Sequence, residues 1–356
     1  MKSKHIAIIQ ARMGSTRFPG KSMVKIVNKP LIWHIVHRLK KSEKLSKIYL
    51  ATSVSPENDI LERYVSKLGV EVIRGSEENV FSRFESIYKQ ARPRTITRVC
   101  GDCPLIDPKF IDRIINIIEV ERVDHVVANE KKSIHQGINI VSANLFNQLL
   151  PFRDNAIIKE HVLSFEHLNL KPIKKGSIIL KRREYESDIR LSVDTPSDLS
   201  FVKTLYKVCK AKAGELSTRE IVKQLKITPQ LSSINKHVYQ KTVQEKTTNV
   251  YFLYDEESGS KMFDLARHYI ENEGIGVRFL IEKNIKNKSE FDKKGVGILS
   301  YGNKEELINI IRGGIKEFII AEKLPERMLS EVKLKIHSCL GGSLKKYKYV
   351  NIPIIK

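Results

Sequence analysis

Short apolar runs bounded by turn residues alternate along the chain with stretches in which apolar positions recur at helical spacing. The runs at His5–Gln10, 48–52, 70–73, Thr95–Cys100 and His125–Ala128 predict buried strands, and 30–40, 57–68, 80–90 and Pro108–Glu121 predict helices between them. This alternation implies an α/β fold with a Rossmann-like, mostly parallel sheet covered by helices on both faces. Ligands of such sheets sit at the carboxyl ends of the strands, so chemistry is sought in the loops after Gln10, Thr52, Ile73 and Cys100. Beyond Asp194, helices are expected over 197–210 and 217–225, and the polar, lysine-rich stretch 227–249 reads as a linker or extended arm. A second β-α alternation begins at Val250, with a strand, a helix over 260–272, the strands VRFLIE and VGILSY, a helix over 304–312 and the strand EFIIAE. The expected organisation is a domain over 1–237, a linker over 238–249 and a smaller α/β domain over 250–356.

Composition narrows the class. A length of 356 residues suits two domains, and 41% hydrophobic with 29% charged residues excludes both a disordered and a membrane-embedded chain. No apolar run reaches the length of a transmembrane helix and the N-terminus turns charged again at once, so a cytoplasmic protein without a membrane span is expected. Four cysteines with one close pair (Cys100, Cys103) do not make a disulfide framework and read as free thiols. The net charge of +22 is concentrated in residues 1–250, which carry 44 basic and 26 acidic side chains. The lysines are scattered and no nucleic-acid-binding signature accompanies them, which favours a small polyanionic substrate over nucleic acid.

The first strand runs into Ala11-Arg12-Met13-Gly14-Ser15-Thr16-Arg17-Phe18-Pro19-Gly20-Lys21, with two glycines, a hydroxyl pair and three cations. Backbone N–H groups freed by glycine and the charges of arginine and lysine suit a triphosphate. The stretch is not a Walker A loop, because five residues separate its glycines and no helix starts at the lysine. A solvated basic turn is the plain alternative.

The motifs IIQARMGSTRFPGK, LATS and GDCPLID together closely resemble the spore-coat polysaccharide F-type cytidylyltransferases, relatives of the CMP-KDO and CMP-sialic acid synthetases in the nucleotide-diphospho-sugar transferase superfamily. The resemblance spans Lys4 to about His237. It implies that Arg12, Gly14, Ser15, Arg17 and Lys21 bind the phosphates of CTP.

Nucleotidyl transfer calls for a divalent metal, which takes a few carboxylate oxygens plus water. Asp102 follows a strand at the ligand end of the sheet, and Asp194 in RLSVDTPSDL lies at another strand-to-helix junction. The resemblance makes these two the magnesium ligands. Asp194 also reads as a helix N-cap, although Asp198 is the better helix-start acid. Cys100 and Cys103 spell C-x-x-C, but further zinc ligands are wanting and Pro104 denies the thiols a helix start.

By resemblance, Ser53, Arg74, Ser76 and Arg83 line the cytidine pocket, with Asn79 and Ser82 standing where many relatives carry aspartate. On the acceptor side, Gly137 occupies the place of a Pro-Asp-Gly turn, with His135-Gln136 replacing Pro-Asp and suggesting an altered acceptor. Lys159-Glu160-His161-Val162 matches an Arg-Glu-His-Val segment and is expected to meet a carboxylated sugar. The alternative for these residues is an ordinary surface. His34 and His37 read as packing or surface residues. The opening of the second domain resembles half of a nucleotide-sugar hydrolase or glycosyltransferase, with Ser258-Gly259-Ser260-Lys261 where those have a Gly-x-Gly-His turn. A lone half implies docking, oligomerisation or degeneracy. The favoured activity is transfer of CMP from CTP to a 2-keto-3-deoxy sugar acid by a homodimeric enzyme. A sugar-phosphate nucleotidyltransferase and a non-catalytic nucleotide-binding scaffold are the alternatives.

Overall fold

The computed structural model describes residues 4–320, apart from 16, 129–132, 182–183, 185–188, 239–248, 255–258, 273, 275, 286–290, 292–296, 304–305 and 307–317. The expected linker, the expected helix over 304–312 and Cys339 therefore lie largely or wholly outside the described residues. The chain divides into two compact units, one of Met1–Gly14 and Gly20–Lys236, the other of Ser15–Pro19 and His237–Lys356.

The first unit contains the strands β1 (His5–Gln10), β2 (Lys25–Ile26), β3 (Lys29–Pro30), β4 (Lys47–Ser53), β5 (Glu71–Gly75), β6 (Thr95–Cys100), β7 (His125–Ala128), β8 (Ile138–Ser142) and β9 (Lys175–Ile178). Its helices are α1 (Leu31–Leu39), α2 (Asp59–Lys67), α3 (Val80–Ala91), α4 (Pro108–Glu121), α5 (Ala143–Leu149), α6 (Ala156–His161), α7 (Pro196–Val208) and α8 (Thr218–Ile227). Seven strands form one sheet in the order β5-β4-β1-β6-β8-β7-β9, and β2 pairs with β3 in a separate antiparallel ribbon. The central strand β1 is apolar and buried along nearly its whole length, as a parallel strand covered on both faces must be. Ile6, Ile8, Ile96 and Val141 share one core with Phe81 and Phe84 of α3, Phe146 of α5 and Ile158 of α6.

Among the described residues the expected strands and helices are present, most within a residue or two of the expected bounds, except that Asp194 follows an irregular segment and not the strand expected before the helix. Two strands of the seven-stranded sheet escape the hydrophobic pattern. The strand β8 runs antiparallel to β6, with Arg98 opposite Asn139, and β9 is a four-residue KGSI segment paired with β7. Polar residues within such short pieces mask the alternation that would mark them.

The helix starts follow side-chain capping. Asn79 accepts from Ser82 N at the head of α3, and Asp107 accepts from Lys109 N with Pro108 in the first turn of α4. At α7, Thr195 and Asp198 form a reciprocal capping box, so Asp198 is the helix-start acid and Asp194 stands just outside the helix.

The second unit has a four-stranded, wholly parallel sheet. It is built from β10 (Asn249–Leu253), β11 (Gly276–Glu282), β12 (Gly297–Tyr301) and β13 (Phe318–Ile320), ordered β12-β11-β10-β13. Helix α9 (Gly259–Asn272) joins β10 to β11, and Met262, Phe263, Ala266 and Ile270 on it pack with Val277, Phe279, Ile281 and Phe291.

His34 ties α1 to the ribbon that follows the first loop. Its Nε2 lies 2.8 Å from the Ile26 carbonyl and its Nδ1 3.2 Å from the Tyr206 hydroxyl, an arrangement that a neutral ring satisfies by donating to the first and accepting from the second. Burial pushes its pKa down from 6.5 to about 4. The unfolded chain therefore takes up this proton first as pH falls. The stabilisation is complete above about 6.5 and is lost toward 4, amounting to about 3 kcal/mol. Urea titrations across this window should show His34→Gln losing less stability than the wild type on acidification; parallel curves would exclude His34 as a contributor.

Candidate active site

Residues from the carboxyl ends of β1, β4, β5 and β6 converge on one edge of the sheet. The loop after β1 is drawn in by Asn58, a fully buried residue whose Oδ1 accepts from Met13 N (2.8 Å) while its Nδ2 donates to Ser53 Oγ (2.7 Å). Gly20 N bonds Met13 O at 2.8 Å, and Gly20, at φ +70°, caps a short 3₁₀ turn that begins with Lys21. The turn thus delivers Lys21 to the end of β6. Close approach there requires Gly101, because a Cβ at that position would lie 2.4 Å from Ala11 Cβ and 2.7 Å from Gln10 O.

Asp102 and Asp194, 92 residues apart in sequence, are joined through backbone as well as side chain. Val193 N donates to Asp102 O at 2.7 Å, laying the second segment beside the first. Lys21 Nζ then bridges the two carboxylates, 2.9 Å from Asp102 Oδ2 and 2.6 Å from Asp194 Oδ1. Burial works against the ammonium charge, but the two carboxylates outweigh it and raise the Lys21 pKa above its ordinary value.

Behind the pair stand Arg190 and Asn235, which the sequence pattern did not single out, gathered around Asp198, the expected helix-start acid. Arg190 Nη2 bonds Asp194 Oδ2, while Arg190 Nε reaches Asp198 Oδ1 at 3.0 Å. Asp198 Oδ2 accepts from the backbone N of both Asp194 and Thr195, each at 3.0 Å. Asn235 Nδ2 donates to Asp198 Oδ1 (2.9 Å) and Arg190 O (3.0 Å). The polar stretch expected as part of an arm is thus fastened to the site through Asn235. The i, i+4 spacing of Arg190 and Asp194 was the available signal; Asn235 had none.

A second group forms around Glu77, which the sequence reading also passed over. Its carboxylate pairs with the Arg12 guanidinium. Burial would raise the Glu77 pKa, and the neighbouring Ser53 hydroxyl with Arg12 and Arg83 brings it below the usual value. Burial and the nearby Arg12 charge push Arg83, itself 2% exposed, down to about 10. Ser53 and Arg83 thus neighbour one carboxylate, but Arg74 is engaged elsewhere. Its guanidinium donates to Asp59 and Glu62 at 2.7 Å and to the carbonyls of Ser53 and Ser55. Ser76 Oγ accepts from Asn79 N at 3.0 Å, which makes it part of the turn into α3.

Gly14 lies beside Glu57. Ser15 and Arg17 fall in the short stretch grouped with the second unit, where Ser15 Oγ accepts from Phe18 N at 3.4 Å. On the expected acceptor side, Gly137 (φ +69°) abuts Cys103, and its carbonyl accepts from Cys100 N at 2.9 Å. Gln136 does not project as a free recognition group. It donates to Ile189 O and accepts from Leu191 N, bracketing the segment that bears Arg190. His135 stacks on Phe110 with 3.8 Å between ring centroids. Lys159, Glu160 and His161 occupy α6, where Lys159 lies 3.7 Å from Asp154 and the Glu160 carbonyl is 3.5 Å from Gln10 Nε2. Cys100, Cys103 and Cys209 are free thiols, and burial raises the pKa of Cys100 and raises that of Cys103 well above the ordinary thiol value.

Removing Asn235 leaves a hydrogen-bonding position of buried Asp198 unfilled. Asn235→Ala should lower stability by about 1–3 kcal/mol. Combining it with Asp198→Ala should cost less than the sum of the two losses, by at least about 0.5 kcal/mol. Strict additivity in chemical denaturation would show that the two do not act as one network.

Residues 6–228 match the cytidylyltransferase family model. The chain is 32% identical over 233 residues to the spore coat polysaccharide biosynthesis protein SpsF of Bacillus subtilis, covering 62% of this chain and 94% of that one. It is 24% identical over 245 residues to a 3-deoxy-manno-octulosonate cytidylyltransferase of Solibacter usitatus, covering 58% and 96% respectively. Among solved structures, a cytidylyltransferase from Leptospira borgpetersenii serovar Hardjo-bovis superposes with a TM-score of 0.59 at 26% identity, covering 67% of this chain and all of that one. With the matched region spanning the sheet and both aspartates, this chain belongs to the cytidylyltransferase family of nucleotidyltransferase enzymes.

Proposed function

We propose that the enzyme is a magnesium-dependent cytidylyltransferase that transfers CMP from CTP to a 2-keto-3-deoxy sugar acid and releases pyrophosphate. The observation that carries this reading is the Lys21 ammonium lodged between the carboxylates of Asp102 and Asp194. A cationic group already occupies the space between two carboxylate oxygens at the ligand edge of the sheet. Among the described residues no cluster of three or more His, Cys, Asp or Glu side chains could hold a metal. Two carboxylates suit magnesium, which is commonly held by one or two of them and completed by substrate phosphates and water. Asp102 and Asp194 are the residues that would hold it, and it would neutralise charge on the triphosphate.

The remaining chemistry belongs to the chain and its substrates. The anomeric hydroxyl of the sugar attacks the α-phosphorus of CTP, the bond from that phosphorus to the bridging oxygen breaks, pyrophosphate leaves, and the hydroxyl proton passes to solvent. Lys21 compensates the two aspartates, so the pocket does not repel the incoming triphosphate. Arg12, Arg17 and the loop around Gly14 and Ser15 bind the phosphates and stabilise the leaving charge. Ser53 and Arg83, with Ser76 at the turn and Arg74 supporting the strand ends, frame the cytosine. Gly137, Lys159, Glu160 and His161 belong to the acceptor side. The sugar-acid assignment draws support from the 3-deoxy-manno-octulosonate relative. The second unit serves docking or oligomerisation, or is a degenerate domain, in an enzyme placed in the cytoplasm. Among the described residues no helix is long and apolar enough to cross a membrane.

CTP with magnesium should raise the melting temperature more than ATP or GTP with magnesium does. Equal shifts would remove the base assignment. Asp102→Asn and Asp194→Asn should each reduce turnover by about 100-fold or more, with the double variant little worse than either. Near-normal turnover in either single variant would defeat the shared-site reading.

A further inference from the structure

One face of β1, β6 and β8 changes character along its length. Ile6 and Ile8 of β1, Ile96 of β6 and Val141 of β8 belong to the apolar core. Toward the ligand edge the same columns continue as Gln10, Arg98 and Asn139, because Arg98 lies opposite both Ile8 and Asn139 in the strand register. An arginine on the core-facing side of a central strand breaks the hydrophobic pattern and calls for a reason.

Its surroundings suggest one. Arg98 Nε donates to Gln10 Oε1 at 2.9 Å and Nη1 donates to Asn139 Oδ1 at 3.1 Å. Both acceptors are neutral amide oxygens. Among the described residues Arg98 makes no ion pair, and its Nη2 enters no hydrogen bond. Three other guanidinium groups at this edge do have carboxylates: Arg12 has Glu77, Arg74 has Asp59 and Glu62, and Arg190 has Asp194 and Asp198. Arg98 is thus oriented on two sides and uncompensated in charge. Helix α6 covers this face through Ile158, and its Glu160 carbonyl meets Gln10 Nε2 at 3.5 Å, so the cluster adjoins the segment assigned to the acceptor. In sequence Arg98 is four residues before Asp102.

We infer that Arg98, held in orientation by Gln10 and Asn139, receives the carboxylate of the acceptor sugar acid. The guanidinium supplies planar, charge-assisted donors that match a carboxylate. Its two amide partners fix its plane without neutralising it, so the charge stays available to the substrate. This assignment rests on the sugar-acid reading of the enzyme.

The test begins with the full-length wild type and a panel of 2-keto-3-deoxy sugar acids, including 3-deoxy-manno-octulosonate, and sugar phosphates. With the fastest sugar acid, Arg98→Met should raise the KM for acceptor on the order of 100-fold while the thermal shift produced by CTP and magnesium stays at its wild-type value. Asn139→Asp, which offers Arg98 an internal carboxylate, should raise the acceptor KM with little change in kcat. The wild type should prefer the sugar acid over its carboxamide by a similar factor, and Arg98→Met should lose that preference. Wild-type acceptor KM and preference retained in Arg98→Met would overturn the Arg98 assignment alone. Turnover confined to sugar phosphates would overturn the sugar-acid reading and this assignment with it.

Discussion

Two carboxylates close enough to share one cation repel each other unless a cation is present, and Lys21 supplies it. Its bonds to Asp102 and Asp194 draw together the first loop, the end of β6 and the segment before α7. Each of these needs its own local device: the Gly20 turn for Lys21, the glycine approach at position 101 for Asp102, and the backbone bond from Val193 for Asp194. Without compensation, two charges at this depth would be strongly unfavourable. With it, the two carboxylates stand together at the edge of the sheet.

The support behind the pair explains why the fold extends beyond α7. Arg190 divides its guanidinium between Asp194 and Asp198, and Asp198 in turn caps the helix and accepts from Asn235. Asp198 therefore joins helix initiation to site geometry in a single side chain. Gln136 adds a further brace by bonding both Ile189 and Leu191. Such supporting contacts decide how accurately ligating groups are presented.

Much of this was legible in the sequence. The strands β1, β6 and β7 and helix α4 have the expected bounds, because long apolar runs and clear caps leave little choice. The motifs IIQARMGSTRFPGK, LATS and GDCPLID carry the family resemblance, and the structure brings Lys21, Asp102 and Asp194 together. What escaped was non-local. β8 and β9 are short and carry polar residues whose reason lies in strand pairing and in the ligand edge. Glu77, Arg190 and Asn235 gain meaning only from partners far along the chain or across a turn. Arg74 is the opposite case: the family resemblance implied a place in the cytidine pocket, and Asp59 and Glu62 on α2 pair with its guanidinium.

We propose that Asp102 and Asp194 form one divalent-cation site completed by the nucleotide. Calorimetric titration of Mn²⁺ into the full-length protein, in the presence of a CTP analogue that resists transfer, tests it directly. One ion should bind per chain, with affinity lowered by about 10-fold or more in both Asp102→Asn and Asp194→Asn. Unchanged stoichiometry and affinity in both variants would contradict it.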